Sequence, residues 1–494
     1  MPALEQFMSI TDRDLVHCDS FLTDGDCDCA CPDDGFMPNP VAAGAEDAAY
    51  ILPALHIAEL ADEFALAFNP LGSAGVVVLN QTTLALLSAF QQPHPLAEGA
   101  QLIGAPVEGL NAARRCVDLG LLEPATGVRQ PRRAQAQTLT AWLHITNACN
   151  LRCDYCYIHK TPDKMEIERG IQAVDAVFRS AVAHDFRRVK LKYAGGEASL
   201  NFPLVLILHD HARSLAEQHG MKLDGVLLSN GVRMNERMIE ELRARGLRLM
   251  ISLDGVGAYH DAQRHFSNGH GSFAHIERTL DLLAAHNFIP SISITISNRN
   301  IRGLSEVVNY VLKRHLPFTL NFYRENECSS SFIDLAFGDE QVIAAMKAAF
   351  AVIEANLPPY SLLGALIDRA RLDMPHDRPC GVGHSYLVID QHGGVAKCQM
   401  EIEQTITDIS VADPLSVIRE DTIGIQNYRV EEKVGCRDCT WRYWCAGGCP
   451  ALTYRVTGRF DVKSPNCRIY KALFPEVLRL EGLRLLKYSE ALVA

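Results

Sequence analysis

The segment LTAWLHITNACNLRCDYC (139–156) joins an apolar, β-rich run to three closely spaced cysteines. Leu139–Thr146 mixes β-branched, aromatic and aliphatic residues over eight positions and reads as a strand. Downstream, runs of the same type recur as VKLKYAG (189–195), DGVLLSNG (224–231), LRLMISLDG (247–255), PSISITIS (290–297) and FTLNFYRE (318–325). Between them lie amphipathic stretches at helical spacing: 167–185, 234–246, 275–287 and 304–315. Strand–helix repeats of this kind predict an α/β fold with a parallel (β/α)6 barrel or partial barrel over 139–330. The functional face of such a sheet lies at the C-terminal ends of its strands, where Cys149, Cys153 and Cys156 fall.

Three thiols at C-x3-C-x2-C are one short of the four ligands of a structural zinc, and no fourth lies nearby. Three thiolates can instead hold three irons of a [4Fe–4S] cluster and leave the fourth open for chemistry. Short motifs end the next three strands: Gly195-Gly196-Glu197, Ser229-Asn230-Gly231 and Ser252-Leu253-Asp254-Gly255. Each alone is a common turn; all of them in order, at consecutive strand ends, are specific. The pattern resembles the radical S-adenosylmethionine (SAM) enzymes. That resemblance implies a SAM-binding [4Fe–4S] cluster on Cys149, Cys153 and Cys156, whose reduced form cleaves SAM to a 5′-deoxyadenosyl radical that abstracts a hydrogen atom. It further implies that Gly195 and Gly196 permit close backbone approach and that Glu197 accepts from the SAM ammonium. Ser229, Asn230, Ser252 and Asp254 contact SAM by the same resemblance, and Tyr155 stands near its adenine. The resemblance also implies an external one-electron reductant, such as flavodoxin or ferredoxin, as a partner.

Residues 380–467 hold seven cysteines. Cys380 precedes Gly393-x4-Cys398, then Cys436-x2-Cys439-x5-Cys445-x3-Cys449, then Cys467. C-x2-C is a zinc-ribbon half-site, but two zincs would ask for eight thiolates or added histidines. The full spacing resembles the SPASM domain (380–470), which implies two auxiliary [4Fe–4S] clusters and three clusters in all. By resemblance Cys436, Cys439, Cys445 and Cys467 hold the outer one, and Cys380, Cys398 and Cys449 the inner one. Where relatives carry a fourth inner cysteine, this chain reads LDMPHDRP (372–379). The inner cluster then keeps an open iron or takes a remote ligand, with His376 and Cys328 as candidates. Trp441 and Trp444 lie between the ligands and are expected to pack around a cluster.

Ahead of the barrel, residues 50–125 read as strand GVVVLN (75–80) followed by three short helices (82–90, 95–104 and 107–120), a winged-helix pattern. This unit resembles the PqqD-like element that binds leader peptides by adding a strand to a sheet edge. GVVVLN and the helix around Asn111–Leu119 are the candidate surfaces. Residues 126–138 read as a linker, 331–379 as a helical bridge, and 471–494 as a C-terminal helix.

The net charge of −12 is concentrated in residues 1–49, where eleven acids and one arginine give −10. That extension, rich in Asp, Gly and Pro, is expected to be irregular; it also carries Cys18, Cys27, Cys29 and Cys31, whose role the sequence leaves open. An acidic chain disfavours nucleic acid, and no apolar run reaches the 18 residues of a membrane span. No secretory signal precedes the 16 cysteines, which points to the cytoplasm and to metal-binding thiols rather than disulfides.

The function expected is a radical SAM/SPASM oxidoreductase that modifies a ribosomally made precursor peptide, its leader held by 50–125. A thioether crosslink is favoured over a carbon–carbon one. The alternatives are an anaerobic sulfatase maturase, which by resemblance carries Asp where this chain has Gln399, a maturase of a larger protein subunit, or an iron–sulfur binding or electron-transfer protein. Asp390 and Glu401 are candidate bases, while His144, His265 and His384 are candidates for the active face. Cys116 is read as a buried small hydrophobe.

Overall fold

Six parallel strands follow one another in chain order: β1 (Thr138–Thr146), β2 (Arg188–Gly195), β3 (Lys222–Ser229), β4 (Arg248–Ser252), β5 (Ser291–Ile296) and β6 (Phe318–Phe322). The computed structural model of the chain describes residues 7–11, 36–37, 48–61, 63–72, 75–126, 132–133 and 135–489. Helices α1 (Ile167–Ala183), α2 (Phe202–His219), α3 (Glu236–Ala244), α4 (Phe273–Ala285) and α5 (Leu304–Lys313) make the crossovers. These strands alternate between a largely polar face, where Thr140, His144, Lys190, Lys192, Ser291 and Ser293 are buried, and an apolar face packed under the helices. Leu143, Ile145, Leu191, Ile251, Ile292 and Ile294 are accordingly all buried. The sheet stays open, because β1 and β6 do not pair.

The free edge of β1 is taken by a strand from the cysteine-rich region. Tyr386–Ile389 runs parallel to β1, with Thr140 opposite Tyr386 and Leu143 opposite Ile389. Gly394–Ala396 and Thr407–Asp408 add antiparallel strands, making nine in all. This continuation carries Cys380 and Cys398 into one buried cluster with Trp142 of β1 and Ala194 of β2. Sequence spacing alone gave no sign of the pairing.

The N-terminal unit holds the three expected helices, at Gln81–Ser88, Leu96–Leu102 and Glu108–Asp118. Two further strands precede Val77–Asn80 in an antiparallel sheet: Phe64–Phe68 pairs with it, and His56–Glu59 pairs with Phe64–Phe68. Cys116 is buried here beside Leu86, Ala113 and Val117, and burial pushes its thiol up to about 12. The expectation of an irregular 1–49 is corrected at two places. Ser9–Ile10 forms a fourth strand on Val77–Asn80, and Phe36–Met37 pairs with Arg132–Arg133, inside the expected linker. Cys18, Cys27, Cys29 and Cys31 lie outside the described residues.

The expected helical bridge is helical at Ile333–Leu335, as a single 3-10 turn, and at Asp339–Ala355. Beyond it, Pro358, Pro359, Pro375 and Pro379 prevent a continuous helix. The last helix starts at Cys467 and runs to Ser489. Among the described residues no helix is long and apolar enough to cross a membrane.

The two tryptophans of the cysteine-rich region clip it to the N-terminal sheet. Trp444 Nε1 donates to the Pro70 carbonyl at 2.9 Å, and its ring centroid lies 4.6 Å from that of Phe68. Trp441 also stacks on Phe68, at 5.9 Å, and reaches Phe474 at 5.1 Å. Truncating Trp444, which is fully buried, to Ala should cost about 3–5 kcal/mol. The expected readout is a clear fall in the denaturation midpoint; an unchanged midpoint would contradict this packing.

Candidate active site

The loop Asn147–Cys156 is neither helix nor sheet, so its shape depends on what it rests against. On one side is the end of β2. Gly196 N–H donates to the Thr146 carbonyl at 2.7 Å, and Glu197 N–H to that of Ala148 at 2.9 Å. A Cβ on Gly195 would meet the Thr146 carbonyl oxygen at 2.3 Å, and one on Gly196 would meet the Asn147 and Ala148 oxygens at 2.5 Å. The glycines thus admit the backbone of the cysteine loop itself. On the other side, Arg152 N–H donates to the His265 carbonyl at 2.7 Å and Asp154 N–H to that of Gln263 at 3.2 Å. Asp154 also binds His265 at 3.2 Å and Arg299.

Cys149, Cys153 and Cys156 line a cavity of about 150 Å³ together with Tyr155, Gly195, Gly196, Glu197, Ser229, Asn230 and Ser252. Glu197 is buried and ties the second and third strand ends together. Its carboxylate accepts from Ser229 Oγ (2.8 Å) and from the backbone N–H groups of Asn230 (2.6 Å) and Ser199 (3.1 Å). Asn230 Nδ2 reaches Asn150 Oδ1 at 2.8 Å, so the third strand end also steadies the cysteine loop.

Asp254 is placed differently from the expectation. It does not line this cavity; its buried carboxylate accepts from Tyr155 Oη (2.7 Å), Gln263 Nε2 (2.9 Å) and Thr295 N–H (2.9 Å). Asp254 therefore positions Tyr155. Arg264, which the sequence reading missed, binds the same phenol and lines the cavity. Lys160, also missed, stands on the cavity wall beside Cys156. No motif marks either cation; both are brought in by the loops that hold the cysteines.

The electrostatics suit a metal centre. Burial pushes the Cys153 thiol up to about 12, with Arg264 acting against it, and burial likewise raises Cys149. Arg264 and Lys160 favour the thiolate form of Cys153, the form an iron–sulfur group would need. At Lys160 burial opposes the charge, and Cys156 and Cys153 outweigh it.

A second cavity, of about 110 Å³, shares Trp142, Tyr155, Tyr157 and Thr295 with the first and adds Asn321, Arg324, Arg369 and Gln399. It leads toward Cys398. Cys380, Cys398 and Cys449 are buried and act on one another electrostatically; burial, then Cys449, pushes Cys398 up to about 12. Cys436, Cys439, Cys445 and Cys467 all line a separate small cavity with Trp441 and Tyr470. Lys433 lies between the two thiol groups: Cys436 and Cys445 act on it from one side, Cys380 and Cys449 from the other. Its Nζ donates to the Ala446 carbonyl at 2.9 Å. Among the described residues no group of three or more His, Cys, Asp or Glu side chains is placed to hold a metal ion. A zinc would gather its sulfurs at ~2.3 Å from one point; a four-iron cluster is a larger body, and these thiols stand around cavities.

Neither remote-ligand candidate faces the inner thiols. His376 Nδ1 donates to the Met374 carbonyl at 3.0 Å, and the charges acting on it are Arg371, Asp373 and Asp377. Cys328 Sγ sits 3.4 Å from His159 Nε2 in a third cavity with Tyr157, Met400 and Glu401. The other candidate histidines are structural: His144 Nε2 is 2.5 Å from Asn147 Oδ1, His265 holds Asp154, and burial pushes His384 down to about 4. Asp390 accepts the His392 and Gly394 N–H groups, both at 2.8 Å, and so shapes a turn. Glu401 does face a cavity, and burial pushes its carboxyl up.

Gly196→Ala should displace the cysteine loop at a cost of about 1–3 kcal/mol. Hydrogen exchange should then rise across residues 147–156 while the helices far from the loop keep their protection. Unchanged exchange would mean that the glycine contact does not hold the loop.

Residues 143–309 match the family model of the Radical SAM superfamily. The chain is 24% identical over 212 residues to the antilisterial bacteriocin subtilosin biosynthesis protein AlbA of Bacillus subtilis, covering 39% of this chain and 44% of that one. It thus spans less than half of that relative. It is 20% identical over 328 residues to a cysteine-type anaerobic sulfatase-maturating enzyme of Clostridium perfringens, covering 62% and 86%. Its fold is similar to the solved structure of native anSMEcpe with bound AdoMet and Cp18Cys peptide, with a TM-score of 0.57 at 17% identity over 72% of this chain and 99% of that one. Residues 143–309 therefore form a radical SAM domain, of the family that works with a [4Fe–4S] cluster and S-adenosylmethionine.

Proposed function

We propose that the chain is a radical SAM/SPASM maturase that crosslinks a ribosomally made peptide. The observation that carries this is the continuous wall of residues from the Cys149–Cys156 loop, through Tyr155 and Trp142, to Gln399 beside Cys398. A substrate side chain in the second cavity would lie between the SAM site and the inner thiols. Cys149, Cys153 and Cys156 would hold the SAM-binding cluster. Cys436, Cys439, Cys445 and Cys467 would hold the outer auxiliary cluster, and Cys380, Cys398 and Cys449 the inner one. When bound, the clusters and SAM supply a 5′-deoxyadenosyl radical for hydrogen abstraction and a path for the electron released on coupling. Glu197, with Ser229, Asn230 and Ser252, shapes the pocket for SAM, and Asp254 and Arg264 set the ring of Tyr155.

With three inner thiols and neither His376 nor Cys328 beside them among the described residues, an open iron would be available to a substrate thiolate, which favours a thioether product. The sulfatase-maturase alternative is supported by the Clostridium relative. Against it stands Gln399, whose Oε1 accepts from Tyr386 Oη at 3.1 Å; an amide cannot act as the base an aspartate would be there. The antiparallel strands and three helices of 50–125 support the reading of that unit as the leader-binding element, with the modified peptide and a flavodoxin- or ferredoxin-type reductant as partners.

Co-expression with a small cysteine-bearing precursor followed by mass spectrometry tests the reaction. The expected result is the loss of two hydrogen atoms per crosslink; an unchanged mass in a peptide that is bound and turned over would contradict it. Glu401 is the proposed base, for a substrate that reaches from the second cavity into the third, which share Tyr157 and Met400. Because burial raises its carboxyl above the ordinary range, the charged, proton-accepting form is lost as pH falls through that raised value. Turnover should fall with it, and Glu401→Gln should remove this acid limb and slow turnover by about 10²–10⁴-fold. A wild-type profile in the variant would exclude Glu401.

A further inference from the structure

The strand Val77–Asn80 would be a sheet edge but for five residues from near the start of the chain. Ser9 lies opposite Leu79 and Ile10 opposite Val78. Asn80 N–H donates to the Met8 carbonyl at 3.4 Å, and Met8 N–H donates to Thr83 Oγ1 at 3.1 Å. Arg115, on the helix Glu108–Asp118, donates through Nε to Ser9 Oγ (2.5 Å) and through Nη2 to the Ser9 carbonyl (3.2 Å). Alternation along the strand sends Met8 and Ile10 to the core that contains Leu66, Phe68 and Val78, and Phe7 to the core beneath the three helices. The segment therefore sits between the sheet edge and the helix that the sequence reading assigned to a bound peptide strand.

Resting on the reading of residues 50–125 as a peptide-recognition unit, we propose that residues 7–11 are a resident stand-in for the leader. The groove takes one extended peptide strand carrying a small hydroxyl residue followed by an aliphatic one. Arg115 reads the hydroxyl and the backbone carbonyl beside it, and the core around Val78 takes the aliphatic side chain. The resident segment is short: Ser9, Ile10 and the Met8 carbonyl engage Leu79, Val78 and Asn80, whereas a longer peptide can pair along all four acceptor residues. Occupancy by the chain itself lowers the apparent affinity for a partner by the fraction of time the groove is open, so only a peptide with the matching pattern displaces it.

The probe is a fluorescein-labelled synthetic peptide of residues 4–16, titrated into the full chain, into full-length Ile10→Asp, and into the chain lacking residues 1–11. The expected result is binding at least about tenfold tighter to the two freed variants than to the wild type, and no binding by the same peptide carrying Ile10→Asp. Freed variants that keep the wild-type circular dichroism but bind no more tightly than the wild type would overturn the proposal. So would loss of the fold in both, because residues 7–11 would then be a fixed part of the sheet. Peptide binding without modification of a co-expressed precursor would count against the maturase reading alone, and modification with no gain in binding would count against the stand-in alone.

Discussion

The site depends on one close contact, that of Gly195 and Gly196 against the backbone of residues 146–148. The cysteine loop has no helix or sheet of its own to fix it, and three sulfurs that share one cluster must be held in register. Two hydrogen bonds and two missing Cβ atoms place it on the end of β2. From there the order spreads. Glu197, directly after the glycines, binds Ser229 and Asn230, and Asn230 returns to Asn150. The loop before α4 closes the far side through Asp154, Tyr155 and their partners. Glu197 thus joins the second and third strand-end motifs directly, while the fourth is tied in through the bond of Asp254 to Tyr155.

That explains which parts of the site could be read ahead of the structure. The cysteine spacing and the strand-end turns are local, and they lie where the α/β repeat puts them. Asp254 was legible as important but not in its role, because nothing in S-x-D-G says that the carboxylate turns inward to a phenol. Arg264 and Lys160 carry no pattern; they reach the thiols only through the loops that fold over them. Among the candidate bases, Asp390 and Glu401 looked alike in sequence, and only the turn around Asp390 separates them.

The fold shows the same division. Long periodic helices and the six parallel strands were legible because helical spacing and apolar residues at alternate strand positions leave a strong signature. His56–Glu59 and Phe64–Phe68 are short, and Ser9–Ile10 is shorter still, with an acidic context that argues for irregular chain. Such strands exist because a neighbour's edge is available. The pairing of Tyr386–Ile389 with β1 is a contact across more than two hundred residues, invisible to any local pattern. It matters most, because it sets Cys398 and Gln399 against Trp142 and so joins the auxiliary thiols to the barrel mouth.

The Cys149–Cys156 loop, so held, is proposed to run radical SAM chemistry. The most direct measurement is anaerobic incubation of the iron- and sulfide-reconstituted full chain with SAM and dithionite, with chromatographic detection of 5′-deoxyadenosine. The wild type should yield 5′-deoxyadenosine, the chain with Cys149, Cys153 and Cys156 replaced together by Ala none, and formation should continue when Cys436, Cys439, Cys445 and Cys467 are replaced in a chain that stays folded. No 5′-deoxyadenosine from a wild-type chain whose spectrum shows the loaded cluster would contradict it.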